Sequence, residues 1–164
     1  MNSEGFAGFR LGDARADNVN LYDLEAALVW GPLSLQGEYM INDVETTFGG
    51  DLSFDSWYAQ ASYFVTGESR TYKNSNGVFD RIRPKRNFEW GKGLGAIELA
   101  ARYSSLDLDD GGVRGGEEDN ITLGINWYLN PNTRFMINYI MADIEHDLYS
   151  GDINIFQTRF QIDF

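Results

Sequence analysis

Ile153-Asn154-Ile155-Phe156-Gln157-Thr158-Arg159-Phe160-Gln161-Ile162-Asp163-Phe164 alternates with period two. Phe156, Phe160, Ile162 and Phe164, with Thr158 among them, share one face; Gln157, Arg159, Gln161 and Asp163 share the other. A soluble edge strand has no reason to turn three Phe and an Ile outward while holding Arg and Asp inward. A strand with hydrocarbon on one side and water on the other needs that arrangement. A closing aromatic is also the end by which bacterial barrels resemble one another to the insertion machinery. The competing expectation, an amphipathic strand of a soluble sandwich, loses ground as the same alternation recurs upstream.

Working outward, Ile121, Leu123, Ile125, Trp127 and Leu129 alternate with Asn120, Thr122, Gly124, Asn126 and Tyr128. Ile97, Leu99, Ala101 and Tyr103 oppose Glu98, Ala100, Arg102 and Ser104. Trp57, Ala59, Ala61, Tyr63 and Val65 oppose Ser56, Tyr58, Gln60, Ser62 and Phe64. Two more runs, from Tyr22 to Trp30 and from Leu33 to Asn42, flank the breaker Gly31-Pro32. Period two over such lengths predicts strands, and no helical period competes. Met136 to Ile144 is apolar on both faces, which predicts a bulge or parity change. With Phe6 to Leu11 as the end of one more strand, about eight strands are expected: an all-β, antiparallel transmembrane barrel segment over 1–164. It is expected to be part of a larger barrel, or a small closed eight-stranded one.

Composition agrees. There is no Cys, so neither disulfides nor thiol-ligated metals enter. Mean hydropathy is −0.37, and no stretch approaches the ~18 apolar residues of a membrane helix. Barrel strands place only alternate residues in lipid, so their average hydropathy stays low. The net charge of −12 argues against nucleic acid as a partner. No signal peptide opens the chain, so a mature or partial form is expected.

The charge is uneven. Residues 66–94 carry seven basic residues against three acidic ones, leaving the remainder strongly negative. Acids gather at Asp43 to Asp55, Asp107 to Asp119 and Asp143 to Asp152, each between strand-like runs. If the last strand ends on the periplasmic side, Asn130-Pro-Asn-Thr133 and Gly31-Pro32 become periplasmic turns and the acidic stretches become outer loops. The basic 66–94 segment is then a long periplasmic connection, too long for a turn. Trp30, Tyr63, Trp90, Trp127, Phe135 and Phe160 fall near the periplasmic strand ends, as an interfacial girdle would.

Tyr63-Phe-Val-Thr-Gly-Glu-Ser-Arg-Thr-Tyr72, Gly77-Val-Phe-Asp-Arg-Ile-Arg-Pro84, Gly95-Ala-Ile-Glu-Leu-Ala-Ala-Arg-Tyr-Ser-Ser-Leu-Asp-Leu108 and Gly124-Ile-Asn-Trp-Tyr-Leu-Asn130 resemble, in order and spacing, the C-terminal half of the phosphate-selective porin O and P family. The resemblance runs from about residue 20 to Phe164. It implies a sixteen-stranded, homotrimeric porin of the bacterial outer membrane that passes phosphate or other small anions along pore-lining Arg and Lys. The N-terminal half, with its inward-folded constriction loop, would lie outside this chain. The acidic outer loops depart from the pattern.

By alternation Arg102, Arg134 and Arg159 lie on the polar face. Guanidinium forks match phosphate oxygens in pairs; the alternative is that they neutralise Glu25, Glu38, Glu98 and Asp163. Arg81, Arg83, Lys85 and Arg86 could line the inner mouth and raise the local anion concentration, or belong to a solvated loop. The resemblance tilts them toward the pathway. Asp107, Asp109 and Asp110, followed by Glu117, Glu118 and Asp119, supply oxygens for a loose Ca²⁺ site or for bridging to lipopolysaccharide through divalent cations. Their spacing matches no Ca²⁺-loop pattern, and a solvated acidic loop is favoured. His146 beside Asp147 is too little for an outer-membrane protease. No phosphate-cradling Gly loop and no Ser-His-Asp set is present. The expectation is therefore a passive channel, not an enzyme, without cofactors, in contact with outer-membrane lipid and lipopolysaccharide. The alternative is an eight-stranded barrel whose filled interior anchors or binds and does not conduct. A soluble lipid-binding barrel would need an apolar interior, which the inward Glu, Gln, Asn and Arg oppose.

Overall fold

A computed structural model describes residues 16–46, 50–73 and 78–164. The strands are β1 (Ala16–Trp30), β2 (Leu33–Thr46), β3 (Leu52–Phe64), β4 (Tyr72–Lys73), β5 (Val78–Phe79), β6 (Ala96–Asp110), β7 (Val113–Asn130), β8 (Thr133–His146) and β9 (Tyr149–Ile162). Among the described residues there is no helix. Seven strands form one sheet in the order β1-β2-β3-β6-β7-β8-β9, and β4-β5 is a separate two-stranded ribbon. Every pairing is antiparallel.

The register makes the two faces explicit. One row crosses the whole sheet as Leu28, Leu35, Ala61, Ala101, Leu123, Tyr139 and Phe156. One residue along, the row on the opposite face reads Ala27, Gln36, Gln60, Arg102, Thr122, Ile140 and Ile155. Because the side-chain period is two, a slip of one residue would exchange the faces. The apolar face is the exposed one, with Leu24, Leu28, Leu123, Ile125 and Phe156 standing free of the protein. The polar face is hollow: a depression of about 650 Å³ runs over it from Gln60 on β3 to Ile155 on β9.

Three expectations are corrected. The sheet is open. Among the described residues β1 and β9 each pair with one neighbour and not with each other, so these strands close no eight-stranded barrel. The seven described strands of the sheet fall short of the roughly eight that surround the smallest filled barrels. The partial strand expected at Phe6 to Leu11 lies outside the described residues. β8 keeps one register against β9 from Thr133 to His146, with no bulge. Its second apolar set, Met136, Ile140 and Ala142, lies on the hollow face, where Ile140 and Ala142 meet Ile155 and Ile153 of β9. Finally, the stretch expected as a loop at 107–118 is a β-hairpin. β6 runs to Asp110 and β7 starts at Val113. Gly111 and Gly112, at φ of 56° and 101°, make the reversal that a side chain would oppose.

The buried apolar cluster is small: Phe64, Ile82, Ala96 and Tyr128. It marks where the 66–94 segment folds back over the polar face. Ile82 belongs to the segment, and Phe64 and Tyr128 to the wall. The segment then passes the rim. The Phe88 amide donates to the Leu129 carbonyl at 2.6 Å, and the Phe88 ring meets Trp127 edge-on at 5.2 Å, on the apolar face. Trp127 continues to Phe135 at 6.2 Å, and Phe135 to Phe160 at 4.6 Å. A second aromatic cluster, Trp57 against Tyr103 at 5.2 Å, lies toward the other end of the strands.

Candidate functional site: three arginines on a polar wall

Arg70, Arg102 and Arg134 line the same 650 Å³ hollow, with Gln60, Asn126 and Asn138 among its other walls. Two strands and the basic segment deliver the three arginines. Arg102 is placed by the alternation of β6 and Arg134 by that of β8. Arg70 arrives because the chain after β3 turns back over the wall.

Each guanidinium is held differently. Arg102 lies over the Tyr58 ring, with Cζ 3.9 Å from its centroid, and makes no ion pair among the described residues. Stacking on an aromatic face fixes the planar fork while leaving its N–H edge free. The Tyr58 hydroxyl accepts a hydrogen bond from Gln36 Nε2 at 2.9 Å, and the same nitrogen donates to Glu25 Oε1 at 2.9 Å. Arg134 donates to Gln161 Oε1 through Nε at 3.2 Å and Nη2 at 2.8 Å. Gln161 in turn donates to Asp163 at 2.7 Å. Arg159 stands exposed on β9, opposite Met136.

Arg70 is the residue that sequence reasoning missed. Its Nε and Nη2 both donate to Glu98 Oε1, at 3.0 and 2.6 Å. The other Glu98 oxygen accepts from Asn126 Nδ2 and the Tyr128 hydroxyl, each at 3.0 Å. Glu98 is fully buried, and a buried carboxylate persists only when paired and hydrogen-bonded in this way. The alternative role weighed for Arg102, Arg134 and Arg159, neutralising Glu98, is thus filled by Arg70. Period two could not reveal it, because 66–94 has no period. The one available signal was an inward carboxylate, Glu98, two residues after a Gly-Ala entry to β6 and next to a basic segment.

The basic segment divides. Arg81 donates to Asn132 Oδ1 at 2.8 Å and shares a cleft of about 250 Å³ with Arg70, Arg134 and Asp163 at the turn end of the polar face. Arg83 and Arg86 are exposed. Lys85 is tied to the Gly67 carbonyl through Nζ at 2.6 Å. Thus Arg81 joins the arginine hollow at its rim, whereas Lys85 and Arg86 lie along a different cleft.

The acidic hairpin's carboxylates are held by backbone amides, two of the hairpin itself and one of β3. Asp107 accepts from the Asp109 amide at 2.8 Å, Asp109 from Gly116 at 2.7 Å, and Asp110 from Ser53 at 2.6 Å. Among the described residues, no three such side chains converge as a metal site would require. His146 stacks on Tyr149 at 4.8 Å and accepts the Leu148 amide on Nδ1, at 3.1 Å.

An all-antiparallel sheet, apolar over one face and hollow, polar and arginine-lined over the other, is porin-like. The sequence pattern of the phosphate-selective porin O and P family matches residues 10–164, and the chain belongs to that family. It is 36% identical over 149 residues to an uncharacterised protein of Caulobacter vibrioides, covering 87% of this chain and 30% of that protein. It is 30% identical to Porin O of Pseudomonas aeruginosa, covering 96% of this chain and 37% of that porin. The chain thus spans about a third of the length of these curated relatives. Membership of a porin family points to a channel rather than an enzyme.

Proposed function

We propose that the chain is a wall section of an outer-membrane porin through which small anions, phosphate among them, diffuse passively. The observation that carries this reading is the hollow that Arg102 and Arg134 share with the Glu98-paired Arg70, lined by amides and hydroxyls and, toward β8 and β9, by Met136, Ile140 and Ile155, with Glu118 at its edge. Fixed positive charge along a narrow aqueous path concentrates anions and repels cations. Guanidinium forks add bidentate geometry suited to phosphate. Arg102, supported by an aromatic ring instead of a carboxylate, keeps its N–H edge available to a passing ion. Arg81 and Arg159 extend the basic path, and Arg83 adds charge at the mouth.

On this reading the apolar face meets membrane lipid and the outer leaflet's lipopolysaccharide, the short turns face the periplasm, and the acidic hairpins face outward. The open edges β1 and β9 pair with strands of the rest of the barrel, and the complete porin assembles as a homotrimer. Single-channel recording of the complete barrel in a planar bilayer tests the proposal. Discrete conductance steps in chloride that phosphate reduces in a saturable way are expected. A barrel that inserts but never conducts would leave the wall with an anchoring role.

A further inference from the structure

We infer that residues 85–94 form a foot that rests on the phospholipid headgroups of the periplasmic leaflet, with Trp90 as its apolar contact and Arg86 and Lys92 as its phosphate contacts. The inference rests on the proposed lipid-facing role of the apolar face.

The foot is built, not loose. Glu89 and Gly93 exchange backbone hydrogen bonds, at 3.0 Å in each direction. Trp127 Nε1 donates to the Leu94 carbonyl at 2.7 Å, fixing the return to β6. A side chain at Gly93 would place its Cβ 2.4 Å from the Asn87 carbonyl oxygen, so the turn is closed tightly on itself.

What this rigid turn presents is the unexpected part. Trp90 is 89% exposed and Leu94 68% exposed. Phe88 sits between Trp127 and Trp90, edge-on to both at 5.2 and 6.4 Å. Trp90 is therefore the outermost member of the ladder Phe160, Phe135, Trp127 and Phe88 on the apolar face. Lys85, Arg86 and Lys92 line the adjoining cleft of about 720 Å³ with Trp90 and Leu94. Lys92 pairs with Glu89 at 2.5 Å, both largely exposed, and such a pair holds its charges weakly. Arg86 has no carboxylate partner among the described residues. An exposed indole beside cations, continuous with an apolar wall, is the composition that settles at the headgroup level of a bilayer. Basic residues there gain further from anionic headgroups.

The foot lies away from both free edges of the sheet. Added strands pair at β1 and β9, and the foot hangs from β6 and β7, in the middle of the seven. Candidates to surround it include lipid, water and a second copy of the chain.

The test uses the complete barrel reconstituted into vesicles of phosphatidylcholine alone or with phosphatidylglycerol. The Trp90 signal is the difference between the parent and Trp90→Phe. It should be blue-shifted, quenched by lipid brominated near the top of its acyl chains, and poorly quenched by iodide. Arg86→Gln with Lys92→Gln should abolish the preference for phosphatidylglycerol, weakening docking by roughly fivefold per charge. A Trp90 signal that brominated lipid leaves unquenched, whether water or a second copy surrounds it, overturns the inference. So does an unchanged lipid preference in the Gln variant. Leu123→Arg separates this outcome from failure of the underlying reading. If that variant folds normally in the same vesicles, the apolar face itself is not lipid-facing.

Discussion

Glu98 concentrates the residue-scale physics of this wall. Its side chain has no solvent contact, and its two oxygens accept four hydrogen bonds from Arg70, Asn126 and Tyr128. Removing the cation leaves a buried charge served only by neutral donors. Arg70→Ala should destabilise the folded segment by about 3–5 kcal/mol, the usual cost of orphaning one partner of a buried pair. Limited proteolysis at 66–94 and the urea midpoint of the folded barrel would register it. Combining Arg70→Met with Glu98→Gln should recover most of that loss, since no charge is left buried. The same scale separates what the sequence could and could not disclose. Arg102 and Arg134 were legible from alternation, because a strand's parity fixes the side on which a residue lies. Arg70 was not, because its position depends on a segment folding back over the wall, driven by Ile82 against Phe64 and Tyr128 and not by any local pattern.

At the scale of strands, the alternation was sufficient wherever one face was apolar and the other polar, as in β7. It misled where that contrast vanished. β8 read as a parity change because both its faces are apolar, but the ladder to β9 runs unbroken. The Asp107 to Glu118 stretch read as a loop because it is acidic and Gly-rich. Backbone pairing continues through it all the same, past one register shift near Asp107, with the carboxylates satisfying amides.

Two predictions belong to these strands. Leu123 lies in the central apolar row, so Leu123→Arg should cost about 2–4 kcal/mol if it lies near the bilayer midplane. Thr122→Arg, on the hollow face, should cost little. Reversible folding into lipid vesicles compares them, and equal costs would remove the distinction between faces. In the hairpin beyond the aliphatic rows, Glu117 faces Asp107 and Glu145 across its two neighbours. The Asp107 charge, with desolvation and then Glu145, raises the Glu117 carboxyl above its ordinary value. A carboxyl whose folded value is raised binds its proton more readily when folded. The hairpin should therefore gain stability as pH falls through that raised value, and lose it again as pH rises. Glu117→Gln should confer that gain at neutral pH and flatten the dependence, as read from thermal unfolding at neutral and mildly acidic pH.

For the whole molecule, the open sheet and its inverted polarity are one fact. A soluble domain would bury the row from Leu28 to Phe156, whereas here that row is exposed, and the hollow collects the guanidinium groups. Two unpaired edges of long strands would invite aggregation if left bare, which is why the wall is read as part of a larger closed barrel. Selectivity is the property in which residues, strands and assembly meet. Reversal potentials across a salt gradient, recorded for the complete barrel with and without Arg102→Ala and Arg159→Ala, test it most directly. The account predicts an anion-over-cation permeability ratio that falls in the double variant, most at low ionic strength, where screening is weakest. Arg102→Lys alone should lose part of it, because an ammonium cannot reproduce the stacked fork. A ratio unchanged by the double variant would contradict the account, leaving these arginines as structural elements of the wall.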